Sequence, residues 1–188
     1  LIKANAVELL RAELARGRKK GIISTGSMND PYQPLEAETR LTRRALEVIA
    51  GFGWGVHITT KSSLVTRDID LLLAIGPEHA SVLMTITTAD DALGRVLEPF
   101  ASLPSERFAA VRELSVHGVT TGVALMPVLP FIEDTVDNLT AVVEGAAQAG
   151  ARYLAPALGV TLRDRQRAYY YRELDRSFPG LRSRYEER

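Results

Sequence analysis

The sequence predicts an α/β protein with a parallel β-sheet. Short apolar, β-branched runs alternate with longer amphipathic runs along the chain, which is typical of repeated βαβ units. Each connection between successive apolar runs is long enough for a right-handed crossover through a helix. Five predicted strands with five or six helices fit either an open doubly wound sheet or part of a barrel.

The elements follow from hydrophobic periodicity and from helix-ending residues. The predicted strands cover residues 21–25, 54–60, 81–87, 119–126 and 152–155. The predicted helices cover residues 5–16, 36–50, 66–75, 105–117, 134–149 and 164–176, with a long loop over residues 88–104. Asn5, with Glu8 three residues later, is in capping-box register, and Thr66 is placed to cap the third helix.

Composition and motifs exclude several classes of protein. The 188 residues are 46% hydrophobic, and Lys plus Arg balance Asp plus Glu at 23 each, so no net charge favours nucleic acid or anionic lipid. The chain has no cysteine, which excludes a thiolate metal site within it. Neither a Gly-x-Gly-x-x-Gly nor a Walker motif is present. With no membrane-length apolar run and no signal peptide, we expect a cytoplasmic protein, and the missing initial Met leads us to expect a fragment or processed product.

Small polar residues follow the predicted strands at the edge where parallel α/β folds bind ligands. These segments cover residues 27–34, 59–62, 85–88, 127–134 and 156–159, and they are rich in hydroxyl groups. Lys61 directly follows an apolar strand, where an ammonium could pair with a carboxylate or phosphate. The alternative is a surface lysine whose stem covers apolar atoms. The edge therefore predicts a small, polar, partly anionic ligand.

Several of these residues also have purely structural explanations. Asp30 precedes Pro31 and is typical of a turn, and Asn29 fits a turn equally well. Thr85 is also an ordinary strand residue. His57 alternates with apolar neighbours inside a strand, so we expect it to be a hydrogen-bonded structural histidine.

Six motifs, taken in order, resemble radical S-adenosylmethionine (SAM) proteins related to spore photoproduct lyase. Residues 24–36 read S-T-G-S-M-N-D-P-Y-Q-P-L-E and residues 41–43 read L-T-R. Residues 60–62 read T-K-S, residues 67–72 read R-D-I-D-L-L, and residues 85–88 read T-I-T-T. Glu98-Pro99 precedes Arg107, and residues 126–130 read M-P-V-L-P, followed by Phe131 where the family has Gly. The sixth is the tail, with residues 159–163, 169–171 and 178–179.

The resemblance implies a partial, TIM-like (βα) barrel of the radical SAM type. The chain would hold about five parallel strands with outer helices, and residues 1–188 would be a core domain truncated at its N-terminal side. SAM would lie across the carboxyl ends of the strands, beside a [4Fe–4S] cluster. The cluster ligands would be three cysteines of a C-x-x-x-C-x-x-C loop that precedes this chain.

The resemblance also implies cofactor-binding residues, and it assigns no catalytic residue and no metal ligand. Asn29 and Asp30 would approach the SAM amino group and ribose, and Lys61 its carboxylate. Thr85 would reach the ribose or the methionine part. The complete candidate set is Ser27, Asn29, Asp30, Lys61, Thr85 and Arg107. Arg107 is a weaker candidate, as is Glu98 outside this set, because a helix cap or a salt bridge would also explain either residue.

The implied function is a radical SAM enzyme that abstracts hydrogen from an unknown substrate through a 5′-deoxyadenosyl radical. This chain alone would lack the cluster that supplies the electron. Two alternatives remain open, a DNA photoproduct lyase-like repair enzyme and a non-catalytic α/β-barrel binding module. Nucleic acid is a less favoured partner because the net charge is zero. A missing strand would expose a sheet edge, so we also expect self-association.

Overall fold

The computed structural model describes residues 3, 5–17, 19–158, 162 and 165–187. It contains one parallel sheet in which each strand pairs with the next along the chain. The strands are β1 (Ile22–Thr25), β2 (Gly55–Thr60), β3 (Ala80–Thr85), β4 (Thr120–Val128) and β5 (Tyr153–Leu158). The helices are α1 (Ala6–Arg16), α2 (Glu36–Thr39), α3 (Leu41–Phe52), α4 (Ile69–Ile75), α5 (Asp91–Leu97), α6 (Pro104–Val116), α7 (Val136–Gln148), α8 (Gln166–Ser177) and α9 (Arg182–Glu186).

The strand order decides between the two predicted architectures. A doubly wound sheet reverses its strand order at one point, whereas these five strands never reverse. Right-handed crossovers that all run in one direction place every connecting helix on the same face. The sheet is therefore part of a barrel, and the predicted partial TIM-like barrel with five parallel strands is confirmed.

Side-chain alternation gives the sheet an apolar outer face. Val56, Ile58, Val82 and Met84 are fully buried and share one hydrophobic core with residues of α3, α4, α6 and α7. Burying these side chains contributes about 1.5–3 kcal/mol each relative to exposure, so this face fixes the register of the strands.

The opposite, concave face carries small and polar residues. The register aligns Ser24 with His57 and His57 with Ser81. His57 Nδ1 lies 2.8 Å from the Ser81 hydroxyl, which confirms the prediction of a structural histidine. By register Leu83 and Tyr153 lie on the same face, so polar and bulky apolar side chains together line the inside of the partial barrel.

Two of the predicted helices differ from the structure, one in its continuity and one in its N-cap. The predicted helix 36–50 is divided at Arg40, whose φ of 48° interrupts it. Glu36 supplies the reason, because its carboxylate accepts bonds from the backbone N–H groups of Thr42 and Arg43 at 2.9 and 3.2 Å and so caps α3. Asn5 is at the N-cap of α1 as predicted, but its side chain makes no capping hydrogen bond, so the predicted capping interaction is wrong.

Two further predictions need correction. Thr66 does not cap a helix; it lies inside a 3₁₀ segment, Ser63–Asp68, whose cap is the Ser62 hydroxyl. The loop predicted for residues 88–104 contains α5, which begins where the Asp90 carboxylate accepts the Ala92 N–H at 2.7 Å. Both segments begin at a short polar side chain, Ser62 or Asp90. Such residues are common in turns as well as at helix N-caps, so the sequence alone does not show which of them begins a helix.

Four charged residues of the first two sequence motifs, Glu36, Arg43, Arg67 and Asp68, form a structural cluster. Asp68, which is fully buried, accepts bonds from the Tyr32 hydroxyl at 3.0 Å and from Arg43 and Arg67 at 2.8 Å each. Arg67 also reaches the buried Glu36 carboxylate at 2.7 Å. Burial and the adjacent Asp68 carboxylate raise the pKa of Tyr32 above its ordinary range. This cluster fastens the loop after β1 to α3 and to the 3₁₀ segment.

The outer parts of the chain bear on three predictions. β1 pairs only with β2 among the described residues, and its Ile22 is 63% exposed. Self-association through this edge stays a prediction.

No helix in the described part of the chain is long and apolar enough to cross a membrane. The predicted ligand-edge residue Gly159, the tail motif at 159–161 and 163, and the predicted helix start at Asp164 lie outside the described residues.

Candidate functional site

A cavity of 490 Å³ opens at the carboxyl ends of the strands. It lies between the loop after β1, the segment after β2 and the α5–α6 loop, and its size is in the range of small-molecule sites. Its lining residues are Asp30, Tyr32, Gln33, Pro34, Ala37, Lys61, Ser62, Leu64, Glu98, Pro99, Phe100, Ala101 and Ser102. The structure therefore places a cavity at the edge where the sequence predicts a ligand.

Asp30 shapes this cavity through its own hydrogen bonds. Its carboxylate accepts bonds from the Tyr32 backbone N–H at 2.9 Å, the Thr60 hydroxyl at 2.6 Å and the Lys61 backbone N–H at 2.7 Å. These bonds join the loop after β1 to the end of β2. Asp30 therefore lines the cavity while it fixes the backbone from which Lys61 projects.

Glu98 joins two cations beside the cavity. The Lys61 ammonium pairs with Glu98 Oε1, and the Arg107 guanidinium lies 2.6 Å from Glu98 Oε2. Burial alone would raise the pKa of Glu98, but the charges of Lys61 and Arg107 outweigh it and lower that pKa below its ordinary value. Two cations and one carboxylate leave this cluster with one net positive charge, which suits an anionic ligand group.

Arg107 is 2% exposed and directs its guanidinium into the protein interior. Besides Glu98 it donates to the Ser102 carbonyl at 2.7 Å and to the Thr85 carbonyl at 3.0 Å. It thereby connects α6, the end of β3 and the α5–α6 loop. This geometry makes Arg107 the support of the cavity wall.

Lys61 and Thr85 each lie at the carboxyl end of one of two paired strands. The β2–β3 register runs to the pair Thr60 and Met84, and Lys61 and Thr85 are the next residues along the two strands. Thr85 is 5% exposed, whereas the Lys61 side chain is 38% exposed. Two of the predicted residues are therefore neighbours at the carboxyl ends of adjacent strands.

The other predicted residues lie farther out. Ser27 and Asn29 are on the loop after β1 and are absent from the lining of the 490 Å³ cavity. The structure thus groups Asp30 and Lys61 at the cavity with Thr85 close behind. The cofactor-binding role of all six residues stays a prediction.

The acidic residues of the site, Glu98 and Glu133, are difficult to recognise from the sequence. Glu98 follows α5, a helix that the sequence pattern does not reveal, so its position beside Lys61 is not evident from the sequence. Glu133 is 1% exposed and lies in a second, smaller cavity after β4. The one local signal for Glu133 is an acidic residue directly after the apolar segment at residues 128–132.

No metal centre is built from the described residues. They contain no group of three His, Cys, Asp or Glu side chains arranged to hold a metal ion. The chain also contains no cysteine, so none of its residues could be a thiolate ligand of an iron–sulfur cluster.

Relatives by sequence were found, although no protein-family model matches the chain. An uncharacterised protein of Mycobacterium tuberculosis is 30% identical over all of this chain and over 55% of its own length. A protein of Pseudomonas phage M6, named as a radical SAM Nα-GlyT isomerase, is 24% identical over 81% of this chain and 31% of its own length. The chain therefore spans about half the length of the mycobacterial relative.

Solved structures share the fold at low sequence identity. Spore photoproduct lyase complexed with dinucleoside spore photoproduct matches 93% of this chain and 50% of its own, with a TM-score of 0.67 and 14% identity. Streptococcus suis SuiB bound to S-adenosylmethionine matches 94% of this chain and 40% of its own, with a TM-score of 0.60 and 10% identity.

These likenesses confirm the resemblance inferred from the motifs. The sequential parallel sheet with a cavity at its strand ends has the partial-barrel fold of radical SAM enzymes. Among the structures with this fold, the chain is similar to spore photoproduct lyase and covers about half of that protein's chain.

Proposed function

We propose that this chain is the SAM-binding part of a radical SAM enzyme. The main support is the 490 Å³ cavity at the carboxyl ends of the strands, which Lys61 lines directly after β2, with Thr85 at the end of the paired strand β3. Supporting it are the shared fold and the net positive charge of the Lys61–Glu98–Arg107 cluster.

The residues present fit the methionine end of SAM. The Lys61 ammonium is partly exposed, and its partner Glu98 keeps a second cation, Arg107, when Lys61 turns away. Lys61 would therefore pair with the SAM carboxylate while Arg107 keeps Glu98 neutralised. Thr85 offers a hydroxyl at the end of the neighbouring strand β3, and Asp30 holds the Lys61 backbone in place.

Bound together with a reduced [4Fe–4S] cluster, SAM supplies the radical that abstracts hydrogen from a substrate. The cluster would be held by cysteines outside these 188 residues, since the chain has none. The chain's own contribution is to bind and orient SAM along the strand ends.

Calorimetric titration of SAM into the full-length protein, purified and reconstituted without oxygen, tests this proposal. Lys61→Gln should weaken SAM binding tenfold or more, because it removes a charge-assisted hydrogen bond. Lys19→Gln, at an exposed lysine away from the cavity, is the matched control and should leave the affinity unchanged. Absence of SAM binding to the wild-type protein, or equal affinities for wild type and Lys61→Gln, would overturn the proposal.

A further inference from the structure

A second cavity lies at the strand ends beside the first. Its volume is 160 Å³, and its lining residues are Lys61, Thr87, Leu97, Glu98, Pro127, Leu129 and Glu133. It shares Lys61 and Glu98 with the 490 Å³ cavity, but it extends toward the loop after β4. We refer to it as the Glu133 cavity.

Glu133 is a buried carboxyl group with unused hydrogen-bonding capacity. Its Oε2 accepts the Leu129 backbone N–H at 2.9 Å, while its Oε1 is buried without a hydrogen-bond partner among the described residues. Burial raises the pKa of Glu133, and the nearby Glu98 adds to the rise, whereas the Thr87 side chain, the Leu129 N–H and Lys61 lower it. The Thr87 side chain lies close enough to the carboxylate to affect its pKa, but Oε1 makes no hydrogen bond of normal geometry, so this oxygen can still accept one. A buried acceptor left unpaired is unfavourable, so it is a position where a ligand that donates a hydrogen bond gains affinity.

Other contacts hold the Glu133 backbone rigidly. The Asn138 side-chain amide donates to the carbonyl oxygens of Glu133 and Thr87, both at 2.8 Å. It thereby ties the loop after β4 to the loop after β3. The unpaired oxygen consequently lies on a fixed support, as a recognition residue requires.

An apolar groove adjoins the Glu133 cavity. The groove and the cavity share Leu97 and Leu129, and the groove has a volume of 160 Å³. Most of its wall is apolar or aromatic, with Val96, Pro99, Ile132, Tyr169, Tyr170, Leu174 and Phe178 among its lining residues. Tyr169 is 60% exposed at its rim. Together the two spaces offer one buried acceptor and, on the other side of Leu97 and Leu129, an apolar surface.

We infer that the Glu133 cavity and the adjoining groove form a substrate subsite for a molecule with an ammonium or amide N–H group on an apolar body. The nitrogen group would donate to Glu133 Oε1, and the body would lie against the groove wall. An anionic group is disfavoured here because the Glu133 carboxylate lines this cavity and offsets the net positive charge of the Lys61–Glu98–Arg107 cluster. This inference rests on the proposed function, because it assigns the substrate end of the same strand-end site.

The test uses benzylammonium as the probe and benzyl alcohol as a neutral probe with the same apolar body. Binding to the full-length protein is measured by saturation-transfer NMR titration. Benzylammonium should bind to the wild type, and Glu133→Gln should weaken that binding tenfold or more. Glu144→Gln, at an exposed glutamate of α7, is the matched control and should bind like the wild type. Tyr169→Ala should weaken both probes by the same factor, because it removes only the groove wall.

SAM titration of the same variants separates this inference from the proposed function. Glu133→Gln should keep the SAM affinity of the wild type within about twofold, and saturating SAM should leave benzylammonium bound. Failure of benzylammonium to bind the wild type, equal binding to Glu133→Gln, or displacement by SAM would overturn the subsite and leave the proposed function standing. Benzylammonium binding without SAM binding would instead overturn the proposed function.

Discussion

Replacement of Arg107 by Met tests how the site is supported. The guanidinium makes three bonds, to Glu98 at 2.6 Å, to the Ser102 carbonyl at 2.7 Å and to the Thr85 carbonyl at 3.0 Å. Each orphaned carbonyl costs about 1 kcal/mol, and the carboxylate costs about 2 kcal/mol because Lys61 still pairs with it. We therefore expect Arg107→Met to lower the free energy of unfolding by about 4 kcal/mol.

Urea unfolding followed by circular dichroism measures this change. A loss of about 4 kcal/mol is a large share of the roughly 5–15 kcal/mol that stabilises a typical domain. Arg107→Lys keeps one of the three contacts and should lose about half as much. Arg112→Met, at an exposed arginine of the same helix, should change stability by less than about 0.5 kcal/mol. A loss below about 1 kcal/mol for Arg107→Met would refute the described contacts.

Three further substitutions test other parts of the structure. Gly26→Ala should cost about 3 kcal/mol or more in unfolding free energy, because φ is +94° and the added Cβ would overlap the Thr59 carbonyl oxygen. Tyr32→Phe should cost about 1–2 kcal/mol in the same assay, since it removes a bond to the buried Asp68 carboxylate. Glu98→Gln should be destabilising at pH 7, and that difference should shrink as pH falls below about 4.3, where unfolded Glu takes up a proton. The sign follows from the lowered pKa of folded Glu98, whose stabilisation is present above the unfolded pKa and lost as pH falls through the folded pKa.

Each of these three substitutions has a control variant or an outcome that would contradict the expected effect. Gly51→Ala is the control for Gly26→Ala; Gly51 lies in α3, and no atom lies within 4 Å of the position that an alanine Cβ would take there. Alanine at this helical position should stabilise the protein by about 0.5–1 kcal/mol. Equal effects of the two alanines would contradict the close approach at Gly26. A Tyr32→Phe protein as stable as wild type, or a Glu98→Gln difference that grows in acid, would contradict the described bonds.

The strands are predictable because their signal is local. Each one is a short apolar run with β-branched residues, and its parallel sense follows from the helical length of the connections. The short helix α5 escapes sequence-based prediction, because it has only seven residues and contains Gly94. The interruption at Arg40 escapes it because it depends on the Glu36 carboxylate, which caps the next helix rather than its own.

The sequence predicts where the site lies, but it does not predict which side chains form ion pairs there. Lys61 directly after β2 indicates a cation at the ligand edge, yet its partner Glu98 lies 37 residues away in sequence. Whether the Lys61 ammonium has a carboxylate partner depends on such long-range contacts. Hydrophobic periodicity in the sequence predicts local structure and does not reveal them. The structure is needed to show that Arg107 faces inward and that Glu133 is buried.

Phe131 shows how the resemblance and the structure complement each other. The family pattern has Gly at this position, and the structure gives Phe131 a φ of 64°, a conformation that favours glycine. The aromatic ring is held by residues near the C-terminus, with the Arg184 guanidinium 3.9 Å from its centroid and the Tyr185 ring at 5.6 Å. Contacts from a distant helix therefore offset a local backbone preference.

SAM binding at Lys61 can be observed in a crystal structure of the full-length protein, reconstituted without oxygen and soaked with SAM. We expect the SAM carboxylate within about 3 Å of Lys61 Nζ, with Arg107 still bound to Glu98. SAM bound away from the strand ends, with the Lys61 ammonium still on Glu98, would show that Lys61 does not bind the cofactor.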